Sequence, residues 1–199
     1  MRYDSEHKDR THKKVLVEAA AAIREVGPDR IGVADLMAKA GLTHGGFYAH
    51  FKSKDHLVAE AVSEMFEEMY ERYSSWTRAS DPREGLTTFI DRYLSTRHRD
   101  EPGRGCPMAA LAGDFSRLPV AARKRFAAGA TRLIGSIAGL LGQLGLPDPD
   151  RLAGSMMSEM VGAVALARAV PDPAQSERIL AASREAIKAR IAPRARSEA

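Results

Sequence analysis

The chain holds a single cysteine, Cys106, among its 199 residues. One thiol permits neither an intramolecular disulfide framework nor a multi-cysteine zinc site, so a reducing, cytoplasmic setting is the expectation. Long apolar runs are also missing. The most apolar stretch, Val161 to Val170, is interrupted by Arg168 and falls far short of the roughly 20 residues that span a bilayer. The first fourteen residues read as a charged tail, and Glu18 and Arg24 break up the run after them, unlike the apolar segment of a signal peptide. No alternating run of β-branched residues is long enough for a strand, and there is no repeat of 20 to 50 residues. Low complexity is confined to the basic stretch Pro193 to Arg196.

With 44% hydrophobic residues, a chain of this length buries about 70% of its unfolded surface and has material for a globular helical core. The 30 basic and 26 acidic side chains are unevenly placed: residues 1 to 54 carry 10 against 7, and the remainder 20 against 19. His7, His12, His44 and His50 lie in the same front segment. A basic, histidine-bearing front module suggests a polyanionic partner such as DNA.

Hydrophobic spacing reads helical throughout, so the class is all-α. Leu16, Ala19, Ala20, Ile23 and Val26 form a first stripe, Val33, Leu36, Met37 and Ala40 a second, and Leu42, Phe47 and Phe51 a short third. Ser53 is placed to cap a fourth helix with Asp55 in its first turn, sustained by Val58, Ala61, Val62, Met65, Phe66, Met69, Tyr70 and Tyr73. Beyond a loop at Ser80 to Pro82, helices are expected over Arg83 to Thr96, Pro107 to Ser116, Val120 to Leu144, Asp150 to Ala169 and Ala174 to Arg190. The expected division is a front module over 1–52 and a larger helical domain over 53–199.

The segment from Val33 to Phe51 carries the most information. A helix ends at Gly41, which suits a left-handed C′ position, and a second begins at Thr43, which suits an N-cap. That is a helix-turn-helix signature. Phe47 and Phe51 should face Leu16, Ala20 and Leu36, leaving His44, Tyr48 and Ala49 on other faces. Gly45 and Gly46 should each cost about 1 kcal/mol in a helix, which close approach to a phosphate or base edge would explain. The plainer alternative is an ordinary helical hairpin whose glycines are neutral drift, with Tyr48 partly buried, His44 and His50 solvated, and Lys52 and Lys54 marking a solvated helix start rather than gripping phosphate.

The run Gly41-Leu-Thr-His-Gly-Gly-Phe-Tyr-Ala-His-Phe-Lys-Ser-Lys-Asp-His-Leu57 resembles the recognition-helix signature of the TetR/AcrR family of bacterial transcriptional repressors, and the resemblance covers residues 11 to 60. It implies a homodimer whose two recognition helices enter successive major grooves of a palindromic double-stranded operator, with an effector pocket in each C-terminal domain. By position, it implies that Thr43, Tyr48, His50 and Lys54 contact phosphates while His44, Gly45 and Ala49 approach base edges. Gly32 departs from the pattern, standing where the family commonly has a capping threonine.

Two copies reading half-sites about 34 to 36 Å apart need a shared surface. The last two helices are rich in small residues, with Met156, Met160, Val164, Ile179, Ser183 and Ile187 expected at a dimer interface; the alternative is that they pack only within one chain. Phe66, Met69, Tyr70, Tyr73, Trp76, Phe89, Tyr93, Met108 and Phe115 are candidates for an effector pocket suited to a small, largely apolar molecule, although such a stripe ordinarily fills core. Cys106 precedes Pro107, which suits a helix start. With Arg104 nearby, its thiol has two readings: a reactive electrophile or redox sensor, or a buried small hydrophobe.

No enzyme constellation assembles: His-Glu-x-x-His, Gly-x-Ser-x-Gly and a phosphate-cradling loop are all missing. Glu67 and Glu68 read as a solvated pair, and neither a metal site nor a cofactor is expected. The competing class is a helical adaptor that binds a protein partner through an apolar groove. Salt separates the two: six to ten phosphate contacts should lose about 10³ to 10⁵ in affinity between 50 and 200 mM.

Overall fold

The structure is a computed structural model that describes residues 2–78 and 81–193, apart from the side chains of residues 2–5, 7 and 115. All regular structure among the described residues is helical: α1 (Arg2–Val26), α2 (Val33–Lys39), a 3-10 helix (His44–Ala49), α3 (Lys54–Trp76), α4 (Pro82–Tyr93), α5 (Thr96–Asp100), a 3-10 turn (Pro102–Arg104), α6 (Pro107–Ala110), a 3-10 turn (Phe115–Arg117), α7 (Val120–Gln143), α8 (Pro149–Ala169) and α9 (Pro173–Ile191). The all-α expectation is therefore met. No helix among these is long and apolar enough to cross a membrane.

Two compact units emerge. The first joins Met1–Tyr70 to Glu101–Thr131, and the second joins Glu71–Asp100 to Arg132–Ala199. In the first, the apolar stripe of α1 (Val15, Leu16, Ala19, Ala20, Ile23) is buried together with Leu36, Met37, Phe47, Phe51, Leu57, Val58, Val62 and Met65. This is the packing expected from the spacing except at Val26, expected to close the α1 stripe, which is 46% exposed at the helix end, while Val15 is buried instead.

Residues before Val15 differ from the expected tail, because α1 is already helical at Arg2. The reason lies in the charge spacing: Asp4 and Lys8, Glu6 and Arg10, and Asp9 and Lys13 are each an acid four residues ahead of a base, the favourable helical order. His12 accordingly sits on a helix rather than in a tail.

The second unit packs α8 against α9, α4 against α9 and α5 against α8. Asp81-Pro82 and Asp172-Pro173 open α4 and α9 in the same way, with each aspartate accepting from the backbone N–H two residues on and proline at the first helical position. The single helix expected over Arg83 to Thr96 ends early, and α5 comes after it. The break leaves Leu94 O open, and Arg184 Nη1 donates to it at 2.6 Å; at the C-terminal end of α5, Arg168 donates to Arg99 O at 3.0 Å and His98 O at 2.8 Å. Likewise, the helix expected over Pro107 to Ser116 shortens to α6 and a separate 3-10 turn, with the helix-weakening Gly113 between them, and the turn ends at Leu118, extended (ψ 145°) ahead of Pro119.

Candidate nucleic-acid interface

The turn between α2 and the next helix is set by Gly41 at φ +75°. Gly41 N–H donates to Ala38 O at 2.9 Å, and Leu42 N–H donates to Met37 O at 2.8 Å. These are the two bonds of a Schellman motif, and they satisfy carbonyls that the end of α2 would otherwise leave open. Thr43 holds the extended cap conformation, but its side chain makes no capping bond; its carbonyl accepts from Gly46 N–H instead. Gly32, ahead of α2, likewise supplies no side-chain cap.

The element beginning at His44 is a six-residue 3-10 helix rather than an α-helix. Gly45 and Gly46 weaken α-helix here, and the tighter form is tolerated over such a short length. Phe47 and Phe51 turn inward and meet at 5.5 Å. Tyr48 packs edge-on against Phe47 at 5.3 Å yet remains 72% exposed, so it is not partly buried.

Thr43, His44, Gly45 and Ala49 are exposed as well. A Cβ placed on Gly45 would meet nothing within 4 Å, and one on Gly46 only ordinary contacts with Met37 and Thr43. Nothing within the chain therefore demands glycine at 45.

The other two interface candidates are placed differently. His50 is half-buried, and burial, followed by the nearby cations His12 and Lys8, pushes its pKa below the usual histidine value. Lys54 donates to Asp29 O at 3.1 Å, tying the start of α3 to the α1–α2 loop, whereas Lys52 is exposed.

Several residues behind this surface escape a reading by apolar spacing. His12 stacks on Phe51 at 4.6 Å, its Nε2 lies 2.8 Å from Glu60 Oε2, and His56 meets the other oxygen of the same carboxylate at 3.1 Å. Arg24 is buried on α1 and pairs with Glu68. Glu68 is thus an ion-pair partner, not a merely solvated acid. The signal available in the sequence is position: Arg24 lies four residues after Ala20, on the buried side of α1.

The effector candidates divide between the units. Phe66, Met69, Tyr70, Cys106 and Met108 belong to the first, where Phe66 packs edge-on against Phe126 at 5.2 Å and sits so close to Gly129 that any Cβ there would collide with its ring. Cys106 is fully buried, the environment of a small hydrophobe. Tyr73, Phe89 and Tyr93 belong to the second unit and form an aromatic ladder, with centroids at 5.2 and 5.6 Å and Trp76 flanking it at 6.3 Å. The Phe115 side chain lies outside the described residues.

Of the residues expected at a dimer interface, Met156, Met160, Val164 and Ile187 are fully buried within the single chain. Their large apolar side chains fill the α8–α9 core of the second unit, so these positions are corrected from interface to core. Ile179 and Ser183 remain half-buried. The outer faces of α8 and α9 instead carry Ser155, Ser158, Leu166, Ala182, Ala186 and Ala189, all exposed.

Residues 15–61 match the family model for bacterial regulatory proteins of the tetR family, and residues 82–183 match the model for a tetracyclin repressor-like C-terminal domain. The HTH-type transcriptional repressor KstR2 of Mycolicibacterium smegmatis is 31% identical over 88 residues; that stretch is 43% of this chain and 43% of the repressor, so the match spans less than half of the relative's length. A TetR transcriptional regulator of Chloroflexus aurantiacus superposes with a TM-score of 0.78 at 26% identity, covering 96% of each chain. NemR of E. coli in its reduced form superposes with a TM-score of 0.80, covering 92% of this chain and 98% of that one. At 19% identity, the NemR match is a likeness of fold.

Proposed function

The chain belongs to the TetR family of bacterial regulatory proteins, and from that premise we propose that it is a DNA-binding transcriptional repressor acting as a homodimer on a palindromic operator. One observation carries this reading. The surface from Thr43 to Ala49 presents an exposed tyrosine, a histidine and a side-chain-free glycine on a short helix braced by Phe47 and Phe51. Thr43, Tyr48, His50 and Lys54 hold phosphates, and His44, Gly45 and Ala49 face base edges. Residues 1–52 form the reading module, and 53–199 form the domain for dimerisation and effector binding.

The second copy docks on the outer faces of α8 and α9, where small side chains permit close helix approach. A small, largely apolar effector in the domain 53–199 shifts α3, alters the separation of the two reading helices and releases DNA. A coupling of about 1 to 3 kcal/mol weakens binding about 5- to 150-fold. Selection of fragmented genomic DNA by the purified protein tests the reading. A recovered palindromic site whose affinity falls steeply with salt is expected, and no preference over random duplex at moderate ionic strength would refute it.

A further inference from the structure

Burying a guanidinium is costly unless its donors are satisfied, and a fork of five donors is suited to joining several partners at once. Arg24, near the end of α1, is 4% exposed. Its Nη1 donates to Gly103 O at 2.8 Å, and its Nη2 pairs with Glu68 on α3. One side chain thus ties α1, α3 and the 3-10 turn Pro102–Arg104 together within the first unit. Its Nε is buried with no hydrogen-bond partner, a penalty that an apolar residue filling the same space would not incur.

The surrounding geometry tightens this joint. A Cβ on Gly103 would fall inside contact distance of the Glu25 carboxylate, so a larger residue in the turn would have to displace the exposed Glu25 side chain. One turn further along the chain, Gly27 faces Asp114, where an added Cβ would stand 3.3 Å from Oδ2. The segment 103–114 is therefore seated on the end of α1 at two points, and it carries the buried Cys106 and Met108. Near the middle of the same helix, His12 stacks on Phe51, two residues after the reading helix. The helix α1, 25 residues long, thus meets the 101–117 segment at its C-terminal end and the residue pair after the reading element near its middle.

We propose that Arg24 is a positioning residue that couples the 101–117 segment to the reading helix, so that rearrangement of that segment moves His44–Ala49 through α1. The inference rests on the regulatory reading above for its biological meaning. Its physical content is independent: displacement at Cys106 should be felt at residues 43–51 only while the Arg24 fork is intact. Lysine at position 24 keeps the charge for Glu68 but cannot hold Gly103 O and Glu68 in the same fork geometry.

The test uses the full-length protein without DNA. Cys106, the only thiol, is alkylated with N-ethylmaleimide, and Cys106→Met is carried in parallel to add bulk at the same place without chemistry. Amide hydrogen exchange is then followed across the chain. In the natural sequence, either perturbation is expected to raise exchange at 43–51 about fivefold, in line with a coupling of the usual allosteric size. In Arg24→Lys the same perturbations should loosen 101–117 but leave 43–51 within about twofold of the unperturbed variant, below that coupling range. A merely structural Arg24 would raise exchange generally and still transmit the effect. Transmission through Arg24→Lys equal to that of the natural sequence, or no response at 43–51 in the natural sequence, overturns the proposal. Selection of duplex fragments by the same samples separates the two readings. Failure to select any duplex defeats the regulatory function while the exchange result still decides the coupling.

Discussion

Tyr48 is the residue on which DNA recognition should depend most sharply. Its ring leans on Phe47 while its hydroxyl end stands in solvent, so truncation removes an external contact and little internal packing. Tyr48→Ala should abolish operator binding in an electrophoretic shift and leave the thermal unfolding of the protein nearly unchanged. His98 makes the opposite case, an internal residue with a measurable pH signature. It is half-buried in the second unit, Nδ1 donates to Tyr93 O at 2.6 Å, and desolvation, opposed in part by that bond and aided by Arg168 and Arg72, lowers its pKa from 6.5 to about 4. The unfolded chain therefore takes up a proton at His98 before the folded one does. Stability should fall as pH drops below about 6.5, with the whole loss of about 3 kcal/mol present below about 4. In His98→Asn, urea unfolding at pH 7 and pH 4 should show a pH dependence shallower by about that amount.

Helix boundaries separate local signals from distant ones. Ser53 is legible as a cap because hydroxyl, acid and apolar stripe come in order, and its Oγ accepts from His56 N–H at 3.1 Å. Ser53→Ala should cost about 1 kcal/mol in chemical denaturation, with no change in the DNA-facing surface. Gly41 is equally legible, since a glycine closing an apolar stripe is a local signal. The α4–α5 break is not, because its open carbonyl at Leu94 is capped by Arg184 and the end of the short α5 by Arg168, about 70 to 90 residues away in sequence. The reading helix lies where the spacing predicts but takes a different form. Its Gly45-Gly46 pair signals a helical cost, yet whether a weakened segment tightens into 3-10 geometry depends on how Phe47 and Phe51 are anchored below it. Arg24 escapes the sequence for a related reason: a single charge among alanines reads as an interruption until its partners on α3 and at Gly103 are known.

At the scale of the whole molecule, the limit is that large apolar side chains look the same whether they serve the chain's own core or another surface. The spacing of Met156, Met160, Val164 and Ile187 points toward a partner, but they are consumed internally, while small residues interleaved with them stay outside. Leu166, 61% exposed on α8, is the large apolar group on that outer face. Leu166→Glu would place a charge against the proposed second copy, and dimerisation measured by analytical ultracentrifugation should weaken at least about tenfold, a penalty of about 1.4 kcal/mol. Operator affinity should fall with it, whereas the fold, judged by circular dichroism, should persist. A Leu166→Glu protein that remains dimeric would place the contact elsewhere.

Glycine at position 45 also bears on which operators can be told apart. A reading surface with a gap in its row of side chains has fewer hydrogen-bonding groups to set against individual bases, so part of its discrimination must come from how readily the duplex itself narrows, twists or bends to meet the backbone. Base steps that the protein never touches, in the spacer between the half-sites, should then alter affinity through stiffness alone.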